Sequence, residues 1–204
     1  MAELTWLDRL EATRLYQRLR YAMNRGLVAF FRRNVFAARS GLRVAEMACG
    51  SGYGAHLLAQ EESVALSLAA DLNLEDYSQA NIQAYQASFV LLDLFRPALA
   101  SGSLDLVWNS SSIEELDNPQ QAVAAMTRLA RPGGWVFVGV PNKYGPAAWL
   151  RLIPNRRTRA WLGRVYSRPD LRKLLASAGL EIQAEMSYLG GVFIGMLGRK
   201  PDTI

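Results

Sequence analysis

Two hydrophobic periods alternate along this chain. Over the first forty residues Trp6, Leu7, Leu10, Leu15, Leu19 and Met23 recur at helical spacing, with Arg9, Arg14, Arg18 and Arg25 between them. That spacing predicts a helix broken at Gly26 and a second one over 27–38, rich in Val28, Phe30, Phe31, Val35 and Phe36. Short apolar runs then predict buried strands at 42–47, 64–70, 89–92, 104–108 and 135–140. Between them lie helical patterns at 54–60, from the Asn73-x-x-Asp76 cap to about Tyr85, and from Asn118-Pro119 to Leu129. Ser167-Arg168-Pro169-Asp170 has the form of a capping box for one more helix, ending at Gly179. Two last strands, 180–188 and 192–198, are separated by Leu189-Gly190-Gly191, too short for a parallel crossover, so they pair antiparallel.

Strands alternating with helices imply a mainly parallel sheet covered on both faces. The expected fold class is α/β: a Rossmann-like doubly wound sheet of seven strands, mostly parallel, with a C-terminal antiparallel hairpin and preceding N-terminal helices. The organisation reads as a helical cap, 1–40, and a sheet domain, 41–204, that together make one structural domain.

Composition narrows the class. The chain has 204 residues, half of them apolar and a fifth charged, enough for a substantial core. Cys49 is the single cysteine and His56 the single histidine, so no intrachain disulfide forms and no metal site is expected. No apolar run approaches a membrane span, and Met1-Ala2-Glu3-Leu4 does not read as a signal peptide, so a cytoplasmic location is expected. The net charge of +5 is unevenly spread. Eight arginines lie in 1–40, and seven more with Lys173 in 151–173 against Asp170 alone. Such clusters suit an acidic substrate, anionic headgroups or nucleic acid, or form a solvated face.

The candidate chemistry begins at Glu46-Met47-Ala48-Cys49-Gly50-Ser51-Gly52-Tyr53-Gly54, an apolar strand running through a glycine-rich turn into a helix. Glycines there let the backbone turn sharply and approach a ligand closely. Gly50 to Ala55 also satisfies G-x-G-x-x-A, with Asp71 about 20 residues on, so a dinucleotide is one reading of the loop.

The rest of the chain resembles the class I S-adenosylmethionine-dependent methyltransferases, the UbiE-like (methyltransferase type 11) group in particular, over roughly four-fifths of its length. The resemblance rests on Glu46-Met47-Ala48-Cys49-Gly50-Ser51-Gly52, Leu104-Asp105-Leu106-Val107, Ser112-Ile113-Glu114-Glu115-Leu116, Arg131-Pro132-Gly133-Gly134, Val140-Pro141-Asn142, Tyr166-Ser167-Arg168-Pro169-Asp170-Leu171 and Ala178-Gly179-Leu180. It implies S-adenosylmethionine as cofactor, held by Glu46, Ala48, Gly50, Ser51, Gly52, Asp71, Leu72, Asp93, Leu94 and Asn109. Asp71 would accept from the ribose hydroxyls and Leu72 cover the adenine. Asp93 and the Leu94 amide would meet the adenine edge, and the Ala48 and Asn109 carbonyls the methionine ammonium. Ala48 stands where the family carries glycine, and its methyl is accommodated if the position keeps extended dihedrals. Glu115 replaces a common histidine.

The resemblance implies methyl transfer to a small-molecule acceptor. No base stands out; Glu114, Glu115, Tyr16 and Tyr144 are the candidates by position or type. Acceptor choice is expected to fall to the N-terminal helices and to a lid over 143–166, where Trp149, Leu150, Ile153, Trp161 and Leu162 lie among arginines. Apolar and basic together suit an amphiphilic or anionic acceptor, lipid-like, quinone-like or glycan-linked, or peripheral contact with a membrane. Nucleic acid is disfavoured, since Asn109-Ser110-Ser111-Ser112 replaces the Asn/Asp-Pro-Pro-Tyr signature of base-amino methylation. The competing classes are an NAD-dependent oxidoreductase and a non-catalytic binding protein that docks through its basic face.

Overall fold

A computed structural model describes residues 14–73, 84–146, 148 and 163–202, with side chains from residue 18 onward. The first predicted element is α1, Arg14–Phe31, extended by a π-turn, Arg32–Phe36. Gly26 does not break it. A glycine inside a helix costs about 1 kcal/mol. Burial of Leu27, Val28, Phe30 and Phe31 against the sheet outweighs that.

The remaining described elements are β1 (Leu42–Met47), α2 (Tyr53–Ala59), β2 (Val64–Asp71), β3 (Ser88–Leu91), β4 (Leu104–Ser110), α3 (Pro119–Leu129), β5 (Ala130–Pro141), α4 (Arg168–Ser177), β6 (Glu181–Tyr188) and β7 (Phe193–Arg199). The helix expected after Asn73 falls on 74–83, and most of the expected lid on 149–162, both outside the described residues. Asn118 caps α3 by accepting from the Gln121 amide at 3.0 Å, with Pro119 in the first turn. Ser167 and Asp170 form the expected capping box on α4.

One seven-stranded sheet runs in the order β3-β2-β1-β4-β5-β7-β6. Neighbours from β3 through β5 are parallel, while β7 is antiparallel to both β5 and β6. The expected fold class therefore holds. Strand β5 begins at Ala130, five residues before the predicted start: Ala130 pairs with Leu104, and Gly133 and Gly134 exchange backbone hydrogen bonds with Lys200 beyond β7. The Arg-Pro-Gly-Gly turn is thus also sheet.

The two faces carry different cores. Met47, Val107, Val136 and Val138 pack with Val123 and Met126 of α3 and Leu171 and Leu175 of α4. Val44, Leu106, Trp108 and Phe137 face α1 and α2. There Phe31 meets the Trp108 ring at 5.6 Å and the Phe137 ring edge-on at 5.2 Å. The chain winds outward from β1 to β3, then returns to place β4 on the other side of β1. The crevice beyond the carboxyl ends of β1 and β4 is the switch point where doubly wound sheets bind ligands.

Candidate functional site

On the β1 side of the crevice, the loop after Met47 folds on its own backbone. Cys49 donates its amide to the Ala70 carbonyl at 3.1 Å, and the Gly52 amide returns to Cys49 at 3.0 Å. Gly50 and Gly52 both sit at left-handed φ, +52° and +69°. A Cβ on Gly52 would lie 2.6 Å from the Phe89 ring, so glycine is required there twice over. Beyond Gly50 the same test finds open space up to the Arg20 guanidinium, 3.9 Å away. Ser51 is half-buried in the turn.

Ala48 departs from expectation. Its φ is +51°, in the left-handed region and not the extended one. The methyl is carried at a conformational cost of about 1–2 kcal/mol.

Glu46 is buried beneath this loop, where its carboxylate accepts from the Ala55 amide at 2.6 Å in the first turn of α2. Burial pushes its pKa up to about 8; Asp71 nearby adds to the shift, while the Ala55 amide and the Arg20 charge oppose it. Its place is under the cradle, bracing the loop. Asp71 ends β2 across the loop, with one oxygen accepting from the Gly50 amide at 2.7 Å and the other from Asn73 at 3.1 Å. Leu72 beside it is 69% exposed, an apolar side chain held out at the crevice rim. Asp93 follows β3 and accepts from the Phe95 amide at 2.8 Å, while the Leu94 side chain is buried in the core. The loop glycines, Asp71, Leu72 and Asp93 thus share one edge of the sheet.

Across the switch point, Asn109 donates to the Met47 carbonyl at 2.6 Å and Ser112 to the Ala48 carbonyl at 3.3 Å. Those bonds stitch the end of β4 to the donor loop. Glu114 is buried at 4% exposure on the turn that follows; one oxygen accepts from the Ser111 hydroxyl at 3.1 Å, and the other has no partner among the described residues. Burial, reinforced by Glu115, raises its pKa to about 8 against the Ser111 hydrogen bond. Glu115 itself is exposed, and so is Tyr144, at 77%. Tyr16 lies in α1, its side chain outside the described residues.

Cys49 and His56 do packing work. Cys49 is buried among Ala55, Ala69 and Ala87. His56 stacks on Tyr85 at 4.5 Å and accepts from the Gln86 amide at 3.1 Å. Among the described residues no group of three His, Cys, Asp or Glu side chains is placed to hold a metal. A cavity of 570 Å³ over the N-termini of α3 and α4, lined by Asp117, Arg164, Tyr166 and Asp170 among others, contains none of the predicted site residues.

Sequence reasoning missed Arg20, Asn24 and Tyr188. Arg20 approaches the glycine loop from α1. Asn24 is buried, its side-chain oxygen 2.8 Å from where a Cβ on Gly54 would stand. Tyr188, fully enclosed, shares a 2.8 Å hydrogen bond with Ser110. Each reaches the site across elements distant in sequence, and no local pattern marks them.

Comparison with known proteins agrees with this geometry. Residues 45–138 match the family model described as a methyltransferase domain. The chain is 31% identical over 165 residues, 78% of its length and 59% of the relative's, to a "probable S-adenosylmethionine-dependent methyltransferase" of Mycolicibacterium smegmatis. It is 27% identical over 161 residues, 72% of its length and 68% of the relative's, to a ubiquinone biosynthesis O-methyltransferase of Thiobacillus denitrificans. The chain spans about half to two thirds of the length of the curated relatives it matches. Among solved structures, the fold is similar to magnesium protoporphyrin IX methyltransferase from Synechocystis PCC 6803 with bound S-adenosylhomocysteine (TM-score 0.73, 18% identity, 93% of this chain and 88% of that one). It is also similar to the [4+2]-cyclase SpnF (TM-score 0.71, 16% identity, 88% and 82%). These matches identify residues 45–138 as a methyltransferase domain, and the sheet order and switch-point cradle are the fold of the class I S-adenosylmethionine-dependent methyltransferases.

Proposed function

We propose that this protein transfers the methyl group of S-adenosylmethionine to a hydroxyl of a small amphiphilic or anionic acceptor. The observation that carries the reading is Asp71 set against the Gly50 amide at the switch point, beside an outward Leu72. A carboxylate already aligned on a backbone turn suits a sugar diol, and an exposed leucine next to it suits a purine face. Asp93 and the Leu94 amide take the adenine edge, and the backbone at Ala48 and Asn109 the ammonium end. Glu46 and Ser51 shape the loop. The bound donor supplies an activated methyl on a sulfonium leaving group. The chain's own residues supply alignment, which is where much of the acceleration in such a displacement arises.

The hydroxyl acceptor is supported by the relatives named as O-methyltransferases. An amphiphilic or anionic body is supported by the exposed side of α1, where Arg18, Leu19, Tyr21 and Arg25 stand together. We read residues 1–40 as a cap over the donor cradle, a role consistent with Arg20 and Asn24 reaching into it, and 143–166 as the lid. Among the described residues no helix is long and apolar enough to cross a membrane.

Calorimetric titration of the protein with S-adenosylhomocysteine, S-adenosylmethionine and NAD tests the donor. Saturable binding of the two sulfur nucleosides is expected, weakened about 100-fold in Asp71→Ala through loss of charge-assisted hydrogen bonds. Binding of NAD alone would restore the oxidoreductase reading.

A further inference from the structure

Three serines follow one another at the end of β4, and the fold gives each a different partner. Ser110 bonds to the Tyr188 hydroxyl, Ser112 to the Ala48 carbonyl of the donor loop, and Ser111 to the Glu114 carboxyl. Ser111 and Ser112 are both half-buried, and of the two it is Ser111 that holds a positive φ, +66°, a conformation costly for any residue with a Cβ. Its amide is tied to the Gly139 carbonyl of β5 at 2.9 Å, so the strained turn is fixed from both sides. Glu114 behind it is enclosed, with Gly163 against its side chain and the Arg164 amide on its carbonyl. Its second oxygen has no partner among the described residues, in a place where an unpaired acceptor costs on the order of 1–3 kcal/mol.

We propose that Ser111 and Glu114 form a proton relay for the acceptor hydroxyl: Ser111 touches the substrate and Glu114 takes up the proton through it. The proposal rests on the methyl-transfer reading and deepens it. As the acceptor oxygen forms its bond to the methyl carbon, the C–S bond breaks and its electron pair stays on sulfur. The acceptor O–H bond breaks in the same event. That proton passes to the Ser111 hydroxyl, and the serine's own proton passes to the Glu114 carboxylate, so no oxidant or further reactant is needed. Ser112, one residue on, ties the relay to the loop that holds the donor.

The groups around Glu114 fit this use. Glu115 on its own turn adds negative charge, and Tyr188 of β6 and Tyr166 of the segment returning from the lid face it as neutral phenols, both held protonated by burial. Arg164 turns its guanidinium away to the Leu116 and Asp117 carbonyls. A carboxyl held near 8 is matched to an acidic hydroxyl, a phenol or enol ionising near 10, far better than one in the ordinary carboxylate range. The acceptor class that follows is a phenolic or enolic hydroxyl.

The test uses the whole chain with S-adenosylmethionine and a fixed panel: catechol, 3,4-dihydroxybenzoate, 4-octylphenol, octanol, octylamine and octanethiol. Methylation of at least one phenol is expected, with kcat rising as pH passes through about 8. Glu114→Gln should lower kcat about 100-fold and abolish that rise while S-adenosylhomocysteine affinity stays within twofold. Ser111→Gly removes the hydroxyl and also relieves the positive φ. It should lower kcat by at least tenfold in a protein that melts no lower than the parent, which a merely structural role for Ser111 does not predict. Any of three results overturns the relay: Glu114→Gln keeping the pH-dependent rise, either variant keeping half the rate, or a protein that binds S-adenosylhomocysteine yet methylates no phenol in the panel. Absence of S-adenosylhomocysteine binding by the parent chain is a different failure, and removes the methyltransferase reading itself.

Discussion

Two buried carboxyls end up near the same pKa for different purposes. Glu46 on β1 and Glu114 after β4 flank one crevice, and burial raises both to about 8. Glu46 has its compensation built in: the Ala55 amide at 2.6 Å and the charge of Arg20. Glu114 has the Ser111 hydroxyl on one oxygen and no partner among the described residues on the other. The first is part of a finished support. The second is the carboxyl to which the proposed relay assigns a proton. The same contrast runs through the crevice as a whole. The β1 side is made of backbone and small residues packed along neighbouring strands, whereas the β4 side is made of side chains arriving from β4, β6 and the segment at 163–166.

The largest way to break the β1 side is at Gly52. Gly52→Val sets a branched side chain against the Phe89 ring at a φ of +69°, so loss of several kcal/mol of stability and of measurable S-adenosylhomocysteine binding is expected, read by thermal melting and calorimetry. Next in size is the effect of pH on stability. Both carboxyls have folded-state pKa values above the ordinary 4.5, so the folded chain holds more protons than the unfolded one between about 4.5 and 8. Their contribution is therefore fully present below 4.5 and is lost as pH rises through 8. Melting from pH 5 to 9 should show Tm falling by several degrees from these two groups, with a shallower fall in Glu46→Gln and in Glu114→Gln. Equal slopes in the parent and both variants would erase the comparison.

Ala48→Gly sharpens it from the other side. Removing the Cβ at φ +51° should leave stability unchanged or raise it by up to about 1 kcal/mol, with donor affinity equal or higher. The smallest effect is expected far from the crevice, at the Arg32–Glu61 pair on the surface. Arg32→Ala should cost under about 1 kcal/mol, since the guanidinium is 62% exposed and the attraction is screened.

The β1 side of the crevice was the readable one in its local structure because its constraints are local. A left-handed turn needs glycine at Gly50 and Gly52, a strand-end acid at Asp71 follows from the apolar run before it, and caps at Asn118 and Ser167 are spelled out within four residues. Gly26 shows the limit of such reasoning. A local breaker was overruled by the apolar face that follows it, because buried area adds up along a helix and a propensity penalty does not. Ala48 shows the same limit in reverse, since a residue name does not reveal a dihedral that the strand and loop impose around it.

By itself, then, the sequence determined the order of elements, the terminal hairpin, the glycine cradle and the acids at the strand ends, all features that neighbours in the chain enforce. Only the tertiary structure decided that β4 lies beside β1, which brings Ser112 onto Ala48, and that α1 packs on α2, which brings Arg20 toward Gly50, while Ser111 meets Glu114 within a turn whose burial the whole fold sets. Those pairings span from 3 to 64 residues of chain, and their meaning depends on burial and on which polar atoms find partners. Desolvation is a property of the folded whole, and it turned Glu114, one acid among several in the chain, into a candidate proton acceptor.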